Sequence, residues 1–346
     1  MTGPRPRVLV CEDSRTVATA LSRTIEHEGL LEVAAIAGSA EEAIALLPGL
    51  KPDLVTMDIE LPGMSGLQAV EEIMSAQPVP ILVLSSLVQA SSPHTASALA
   101  AGALDAVAKD AVDLRDPESD SARTFRRRLV LLSRARVIRH PRARLKAQLP
   151  PRRPSGRTAS AIGICASTGG PQALAAVLGA LPATFPIPVL VVQHIGAGFG
   201  EGLANWLEGA VPLTVRVAAD GDAVEPGIWL APDDAHLRLK PSGRLALDRV
   251  TVAGPHRPSG DVLLRSLAMS IGRRAVSVVL TGMGSDGAEG SYAVHQAGGL
   301  TIAQDEATSV IYGMPRAAAA LGVDLVLPMT EIGPELLSLS PIEAVA

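Results

Sequence analysis

Short apolar runs of strand length alternate with helical stretches along the first third of this 346-residue chain. The run 7–14 precedes helical periodicity over 16–29, and the run 32–37 precedes a helix expected over 39–47, with Ser39 as its N-cap. Strands that alternate with helices predict a parallel, doubly wound α/β sheet with helices on both faces. Three further strands are expected at 53–58, 79–85 and 104–108.

Length and composition limit the class of protein. The chain is long enough for two domains of about 100–200 residues each. Because 47% of its residues are hydrophobic and 19% are charged, each domain can bury a core. No apolar stretch reaches the roughly 18 residues of a membrane span, and the polar start shows no signal peptide. Two cysteines, Cys11 and Cys165, fit a reduced compartment, so we expect a cytoplasmic protein that is not embedded in a membrane.

Positive charge is concentrated in one segment. Between Arg123 and Arg157 there are thirteen Arg and Lys residues and no acid, against 17 basic and 35 acidic residues elsewhere. Such a run can contact nucleic acid phosphates or form a solvated tether between domains. Stacking aromatics and helix-turn-helix spacing are both missing, which favours the tether and no nucleic acid partner. The pattern predicts a first domain at 5–120, a basic linker at 121–158 and a second domain at 159–346.

Polar side chains end the predicted strands of the first domain, namely Glu12, Asp13, Asp58, Ser85 and Lys109. In a doubly wound parallel sheet, ligands bind outside the carboxyl ends of the strands. Three carboxylates brought together repel one another, and a bound hard cation such as Mg²⁺ relieves that repulsion. A phosphoryl group on Asp58 would be held by the metal, the Ser85 hydroxyl and the Lys109 ammonium. Any one of these acids alone also fits a helix cap or a loop surface.

The same five residues carry a family resemblance. Residues 5 to about 115 resemble a two-component receiver domain, with Asp58 in the motif Met-Asp-Ile-Glu-Leu-Pro. The resemblance implies a flavodoxin-like (βα)5 fold, phosphorylation of Asp58 by a histidine kinase, and Ser85 and Lys109 as switch residues. It also implies Mg²⁺ bound by Glu12, Asp13 and Asp58. One departure is Asp110, where the family usually has proline after the lysine.

A serine follows the first predicted strand of the second domain. The strand 161–166 breaks at Ser167-Thr-Gly-Gly-Pro, and a helix is expected over 172–181. A sharp strand-to-helix turn lifts the serine hydroxyl above the sheet, close to a helix N-terminus that stabilises negative charge. Taken alone, a glycine-rich turn of this kind is more typical of phosphate binding, or of a plain turn, than of catalysis.

Two further predicted strands end beside side chains suited to catalysis. The strand 189–194 ends in His194, and the strand 275–281 leads into the loop Gly-Met-Gly-Ser-Asp-Gly that contains Asp286. Because parallel strands end at one edge of the sheet, we expect these residues to meet Ser167 there. The serine would be the nucleophile, the histidine its general base, and the aspartate the group that orients the base.

Other residues of the second domain have less certain roles. Thr168 and Met283 are expected to direct backbone N–H groups at an oxyanion. His256 either lines the cleft or is an ordinary loop histidine, the second being favoured, and Cys165 is expected to be a small buried filler. Asp305 and Glu306 fit either supporting positions or simple loop acids. The remaining histidines are expected to be structural or exposed: His27, His94, His140, His236 and His295.

Residues 159 to about 340 resemble the catalytic domain of CheB-type chemotaxis protein-glutamate methylesterases. The resemblance implies a doubly wound, mostly parallel α/β domain that needs no cofactor. It also implies hydrolysis of glutamate methyl esters on chemoreceptors, with release of methanol and, in some members, deamidation of glutamine. Its motifs are Ala166-Ser-Thr-Gly-Gly-Pro171, Gln193-His194, His256-Arg-Pro-Ser259 with Asp261, Leu280-Thr-Gly-Met-Gly-Ser-Asp-Gly287, Ala303-Gln-Asp-Glu-Ala-Thr-Ser309 and Tyr312-Gly-Met-Pro-Arg316.

The pairing of two such domains predicts a switch. In the unphosphorylated protein the receiver is expected to obstruct the Ser167 edge, and phosphorylation of Asp58 to shift the population toward an open form. Three alternatives stay open at this point. The chain can be a DNA-binding response regulator, the same esterase in a non-chemotactic sensory pathway, or a nucleotide-binding α/β domain with an imperfect glycine motif at 163–170.

Overall fold

The architecture below is that of a computed structural model. It describes residues 4–86, 97–99, 101–135, 137, 157–196, 198–251 and 256–341. The chain divides into two units, residues 1–141 and 142–346.

A parallel sheet of five strands forms the centre of the first unit. The strands are β1 (Arg7–Cys11), β2 (Glu32–Ala37), β3 (Leu54–Asp58), β4 (Ile81–Ser85) and β5 (Asp105–Ala108). Their order in the sheet is β2-β1-β3-β4-β5. The helices are α1 (Arg15–Glu26), α2 (Ala40–Leu50), α3 (Gly66–Ala76) and α4 (Asp120–Leu132), with a 3₁₀ turn at Lys109–Ala111. Ser39 caps α2 as expected, since its side chain accepts a hydrogen bond from the Glu42 N–H at 3.2 Å.

Helix α4 occupies the start of the stretch expected to be a basic linker. It packs in the first unit, because Phe125, Leu129 and Leu132 are buried and Arg126 is only 1% exposed. The Arg126 guanidinium donates to the Pro117 carbonyl at 2.7 Å and pairs with Glu28 at 2.6 Å. Part of the positive charge therefore takes part in hydrogen bonds and ion pairs inside the first unit, which the charge pattern did not predict. Of the rest of the expected linker, residues 136 and 138–156 lie outside the described residues.

A parallel sheet of seven strands forms the centre of the second unit. Its strands are β7 (Ala161–Ala166), β8 (Val189–Gln193), β9 (Val215–Val217), β10 (Ile228–Leu230), β13 (Ala275–Val279), β14 (Leu300–Gln304) and β15 (Leu325–Leu327). Their order is β15-β14-β13-β7-β8-β10-β9, so the winding reverses between β7 and β13. At such a reversal the connections leave a crevice outside the strand ends, and this is where ligands bind in open α/β sheets.

Smaller elements and, in the described part of the unit, six helices complete this fold. The antiparallel hairpin β11 (His236–Leu239) and β12 (Leu245–Asp248) lies apart from the main sheet, as does the short pair β6 (Thr158–Ala159) and β16 (Ser340–Pro341). A 3₁₀ turn covers Gly272–Arg274. The helices are α5 (Gly170–Leu178), α6 (Gly200–Ala210), α7 (Gly260–Ile271), α8 (Ala288–Gln296), α9 (Met314–Leu321) and α10 (Met329–Leu337).

Each face of the seven-stranded sheet has its own apolar core, because alternate side chains of a strand point to opposite faces. Ile162 and Ile164 of β7 pack in the core that contains residues of α5, α6 and α10. Cys165 of the same strand packs in the other core, with residues of α7, α8, α9 and the hairpin. Both expected sheets are thus confirmed as parallel α/β structures. Among the described residues, the helices all fall short of the length and apolar character that a membrane crossing requires.

Candidate active site

Strand register brings Ser167 and His194 to the same point of the sheet edge. Ala166 of β7 is paired with Gln193 of β8, so the residues that follow them, Ser167 and His194, lie side by side. The His194 backbone N–H donates to the Ala166 carbonyl at 2.9 Å, so the hydrogen bonds between β7 and β8 extend as far as His194. On the other side of β7, the Ser167 N–H donates to the Thr281 carbonyl at 3.0 Å. The nucleophile candidate therefore stands between the ends of β8 and β13.

Asp286 reaches the His194 ring from the loop after β13. Its Oδ2 lies 2.7 Å from His194 Nε2, and both side chains are about nine-tenths buried. A carboxylate can only accept, so Nε2 of the neutral ring carries the proton and Nδ1 presents its lone pair. Nδ1 is buried and has no hydrogen-bond partner among the described residues. Ser167 is only 6% exposed, and its Oγ does not donate a hydrogen bond to His194 Nδ1.

The N-terminus of α7 holds the Asp286 carboxylate. Oδ1 accepts from the Ser259 hydroxyl at 2.7 Å and from the Asp261 N–H at 3.0 Å, while Oδ2 accepts from the Gly260 N–H at 2.6 Å. Burial by itself raises the pKa of Asp286. The hydrogen bonds from His194, Ser259 and the helix N–H groups lower it further than burial raises it, so the pKa lies well below its usual range. The carboxylate is therefore charged and fixed in orientation.

Backbone and side-chain hydrogen bonds hold the serine turn. The Gln193 amide donates to the carbonyls of both Ser167 and His194, at 2.8 Å each. The Thr281 hydroxyl donates to the Thr168 carbonyl at 3.0 Å. A Cβ at position 282 would lie 2.7 Å from the Ser167 Cβ, so only glycine permits this approach of the two loops.

The two expected oxyanion donors flank the serine. Thr168 is buried directly after it, and Met283 is half-buried in the loop after β13. The Gly282 carbonyl accepts from the Met314 N–H at 2.9 Å, so the Met283 N–H of the same trans peptide points the opposite way. Among the described residues, the Met283 N–H donates to no acceptor.

From the sequence, His256 was either a cleft residue or an ordinary loop histidine, the second being favoured, and Ser259 was given no role. The structure stacks the His256 ring on the His194 ring, with centroids 4.2 Å apart and an angle of 13° between the planes. Ser259 caps α7 and donates to Asp286. A serine immediately before a helix is a usable signal for a cap, but this helix was not predicted from the sequence, and nothing in the local sequence indicates which distant carboxylate Ser259 would meet.

The other residues considered from the sequence lie in surroundings that are typical of structural or surface residues. Cys165 is fully buried, and burial raises the pKa of its thiol well above the ordinary value. Asp305 accepts from the Thr308 N–H and hydroxyl, and Glu306 is exposed. His236 is buried, whereas His27 and His295 lie 3.7 Å and 3.6 Å from the carboxylates of Glu118 and Asp324. His94 and His140 lie outside the described residues.

In the first unit the predicted polar residues also converge. The Lys109 Nζ lies 2.6 Å from Asp58 Oδ2 and 2.7 Å from Glu12 Oε2. Ser85 is fully buried, one residue beyond Leu84, which is the register partner of Asp58. Glu12 is buried and Asp13 exposed. The five side chains thus stand at the carboxyl ends of β1, β3, β4 and β5, as expected for this sheet.

The acid cluster fits a divalent cation. Glu12, Asp13 and Asp58 each offer one oxygen, and these three atoms lie within 4.8 Å of one another. Burial raises the pKa of Glu12, and Lys109 offsets this only in part. Burial alone would lower the pKa of Lys109, but its hydrogen bonds to the two carboxylates raise it, so the ammonium stays charged. A hard cation would relieve the same crowding of buried negative charge and take oxygen ligands of this kind.

The family models match both units. Residues 8–116 match the response regulator receiver domain, and residues 162–336 match the CheB methylesterase domain.

Relatives match over nearly the full length. The chain is 42% identical to protein-glutamate methylesterase/protein-glutamine glutaminase 3 of Myxococcus xanthus, covering 97% of this chain and 94% of the relative. It is 44% identical to protein-glutamate methylesterase/protein-glutamine glutaminase 2 of Anaeromyxobacter dehalogenans, covering 95% and 96%. The crystal structure of the Thermotoga maritima CheB methylesterase catalytic domain matches 53% of this chain and 100% of its own at a TM-score of 0.51 and 39% identity. The chain therefore belongs to the CheB methylesterase family and carries a receiver domain ahead of the family's catalytic domain.

Proposed function

We propose that the second unit is a serine hydrolase that uses Ser167, His194 and Asp286 to cleave carboxylic esters. One observation carries this proposal. Among the residues that the structure describes, the buried His194 Nδ1 has no hydrogen-bond partner, while the opposite nitrogen is held by a charged carboxylate. An unpaired buried acceptor typically costs about 1–3 kcal/mol. The lack of a partner at His194 Nδ1 is explained if this nitrogen accepts the proton of the neighbouring Ser167 hydroxyl.

The proposed reaction has two halves. Rotation about the Ser167 Cα–Cβ bond directs Oγ toward Nδ1, which takes the hydroxyl proton as Oγ bonds to the ester carbonyl carbon. The N–H groups of Met283 and Thr168 stabilise the resulting oxyanion. Collapse breaks the bond from the carbonyl carbon to the methoxy oxygen, which leaves as methanol with the proton from Nδ1. Water then attacks the acyl-enzyme, gives its proton to Nδ1, and displaces Ser167, which recovers that proton.

The proposed substrate is a glutamate methyl ester on a chemoreceptor in the cytoplasm. Family membership and the printed names of the relatives support this choice. Attack on the same side-chain carbonyl of glutamine would release ammonia instead of methanol, so the same residues support the deamidation named in those relatives. Adaptation in chemotaxis is the proposed role.

For the first unit, we propose that Asp58 accepts a phosphoryl group from a histidine kinase. The Asp58 carboxylate oxygen bonds to phosphorus as the bond from phosphorus to the kinase imidazole nitrogen breaks. In this proposal Lys109, which already lies 2.6 Å from Asp58, and Ser85 contact the new phosphoryl oxygens. Glu12, Asp13 and Asp58 are the residues that would hold Mg²⁺, which supplies positive charge at the transferring group.

The experiment for the proposed substrate measures methanol release by the purified full-length protein. Membranes that carry fully methylated chemoreceptors should release methanol at a rate that rises with enzyme concentration. Membranes from cells without the methyltransferase contain the same receptors without esters, and should release none. Equal release from both preparations would contradict a receptor ester as the substrate, since the methanol would then have another source.

Phosphorylation is expected to raise the hydrolysis rate of the full-length protein. A regulatory coupling of the usual size corresponds to about 5-fold to 150-fold. Initial rates with and without a small phosphodonor would be compared with those of a fragment that starts at Thr158, and with those of an Asp58→Ala protein. We expect the fragment to be active without the donor and Asp58→Ala to ignore it. Equal rates for all the preparations would contradict gating by the receiver.

A further inference from the structure

The His256 ring is the part of the second unit that the proposed mechanism leaves unused. It is half-buried and lies face to face with His194, at 4.2 Å between centroids and 13° between planes. The hydrogen bond from His194 Nε2 to Asp286 restrains one atom of the ring, but the ring can still tilt about that bond. A flat neighbour in van der Waals contact restrains the plane itself.

Described residues on both sides of His256 in the sequence, Thr251 and Ser259, are held by hydrogen bonds. On one side, Thr251 is held by Asp248, which accepts from its N–H at 2.9 Å and from its hydroxyl at 2.6 Å. The Thr251 carbonyl lies 3.0 Å from Nε2 of His236, a residue 1% exposed. The hairpin β11–β12 supplies both of these partners, so an element outside the main sheet holds Thr251.

On the other side, Ser259 is buried and donates to Asp286. The same carboxylate therefore binds the His194 ring and the segment that carries the stacked ring. A shift of Asp286 would move both histidines together, which preserves their stacking. This arrangement is unexpected for a loop histidine that only fills surface space.

We infer that His256 is a positioning residue for the general base, and this inference rests on the proposed function. Its ring keeps the plane of His194 in the orientation that directs Nδ1 at Ser167. The property required is a flat ring face, not a second proton acceptor. Displacement of a catalytic group by about 1 Å can cost about 100-fold in rate, so partial loss of the restraint should be visible in kcat.

The test uses the full-length protein and three substitutions of His256. His256→Ala removes the ring, His256→Leu fills much of the space without a flat face, and His256→Phe keeps a flat face without ring nitrogens. Methanol release from methylated receptor membranes gives kcat and KM. We expect kcat to fall about 10-fold for Ala and Leu, and to stay within about threefold of wild type for Phe. KM should stay within about twofold in all three, because the ring acts on His194 and not on the receptor.

A second readout separates positioning from receptor docking. The rate at which a small fluorophosphonate labels Ser167 reports its activation by His194 without any receptor, and it should follow the kcat values. His295→Ala, which removes a histidine from the exposed part of α8, is the matched control and should change neither rate. Should the Ala protein fail to fold, the Leu and Phe pair decides the question alone, because both keep much of the volume.

Two results would overturn the inference. If all three variants keep wild-type kcat, the ring does not position the base. If Phe is as impaired as Ala, the ring nitrogens of His256 matter, and the residue acts by proton transfer or hydrogen bonding instead. Failure of the proposed function is recognised separately, because a Ser167→Ala protein would then still release methanol.

Discussion

Replacing Ser167 by Ala is expected to abolish methanol release, with a fall in kcat of about 10⁶-fold. The reason is chemical, since the first half of the reaction needs an oxygen nucleophile and the methyl side chain of alanine has no oxygen. The structural cost should be small. Ser167 holds its place in the turn through its backbone, whose N–H donates to Thr281 and whose carbonyl accepts from Gln193 and Gly170. The variant should therefore unfold at nearly the wild-type temperature.

A matched control separates the loss of the nucleophile from the loss of a buried hydroxyl. Ser277 lies on β13 in the same sheet, and its hydroxyl is buried against that of Ser291 at 2.8 Å. Ser277→Ala should reduce stability while leaving kcat within about threefold of wild type. Substantial hydrolysis by Ser167→Ala, after contamination by wild type has been excluded by mass spectrometry, would contradict the serine mechanism.

Replacing Asp286 by Asn is expected to lower kcat by about 10⁴-fold. The Asn oxygen should occupy the Oδ1 place, where the Ser259 hydroxyl and the Asp261 N–H both donate. The NH₂ group then faces His194 Nε2 and donates to it. The neutral ring must carry its proton on Nδ1, the atom that has to accept from Ser167. The base is thereby blocked by its tautomer, although it stays in place.

The Asn variant should also be less stable. Its NH₂ group replaces Oδ2, so the Gly260 N–H loses its acceptor, which typically costs about 1–3 kcal/mol. Asp324→Asn is the matched control, because Asp324 accepts from Thr301 at the start of a strand in the same unit. It should keep kcat within about threefold. Nitrogen NMR of the imidazole would show the proton on Nε2 in wild type and on Nδ1 in Asp286→Asn; the same tautomer in both would contradict this explanation.

The stability difference between wild type and Asp286→Asn should depend on pH. The folded pKa of Asp286 lies below its unfolded value near 3.8. A depressed pKa stabilises the folded state above the unfolded pKa, and this stabilisation is lost as the pH falls through the folded pKa. The difference in free energy of unfolding should be constant from pH 7 to about pH 5, and should shrink below about pH 4. Urea denaturation at a series of pH values measures it, and an increase toward low pH would contradict the assignment of Asp286 as a charged group.

Much of the fold followed from local patterns. The alternation of strands and helices predicted both parallel sheets, and Ser39 was identified correctly as a helix cap. The short strands β9 and β15 and the hairpin β11–β12 were not predicted, because three or four residues are too few to show a period. Helix α4 was not predicted, for another reason. Its arginines resemble a solvated run, and only the tertiary structure shows the carbonyls of Pro117 and Thr24 and the carboxylate of Glu28 that pair with the buried Arg126.

By itself, the sequence determined which strand ends carry a serine, a histidine and a carboxylate, because parallel strands of one sheet end at one edge. The tertiary structure decided which nitrogen of His194 faces Asp286, that α7 holds Asp286, and that His256 stacks on the base. These features join residues that are dozens of positions apart. Their distances are set by strand register and helix packing, which no local periodicity records.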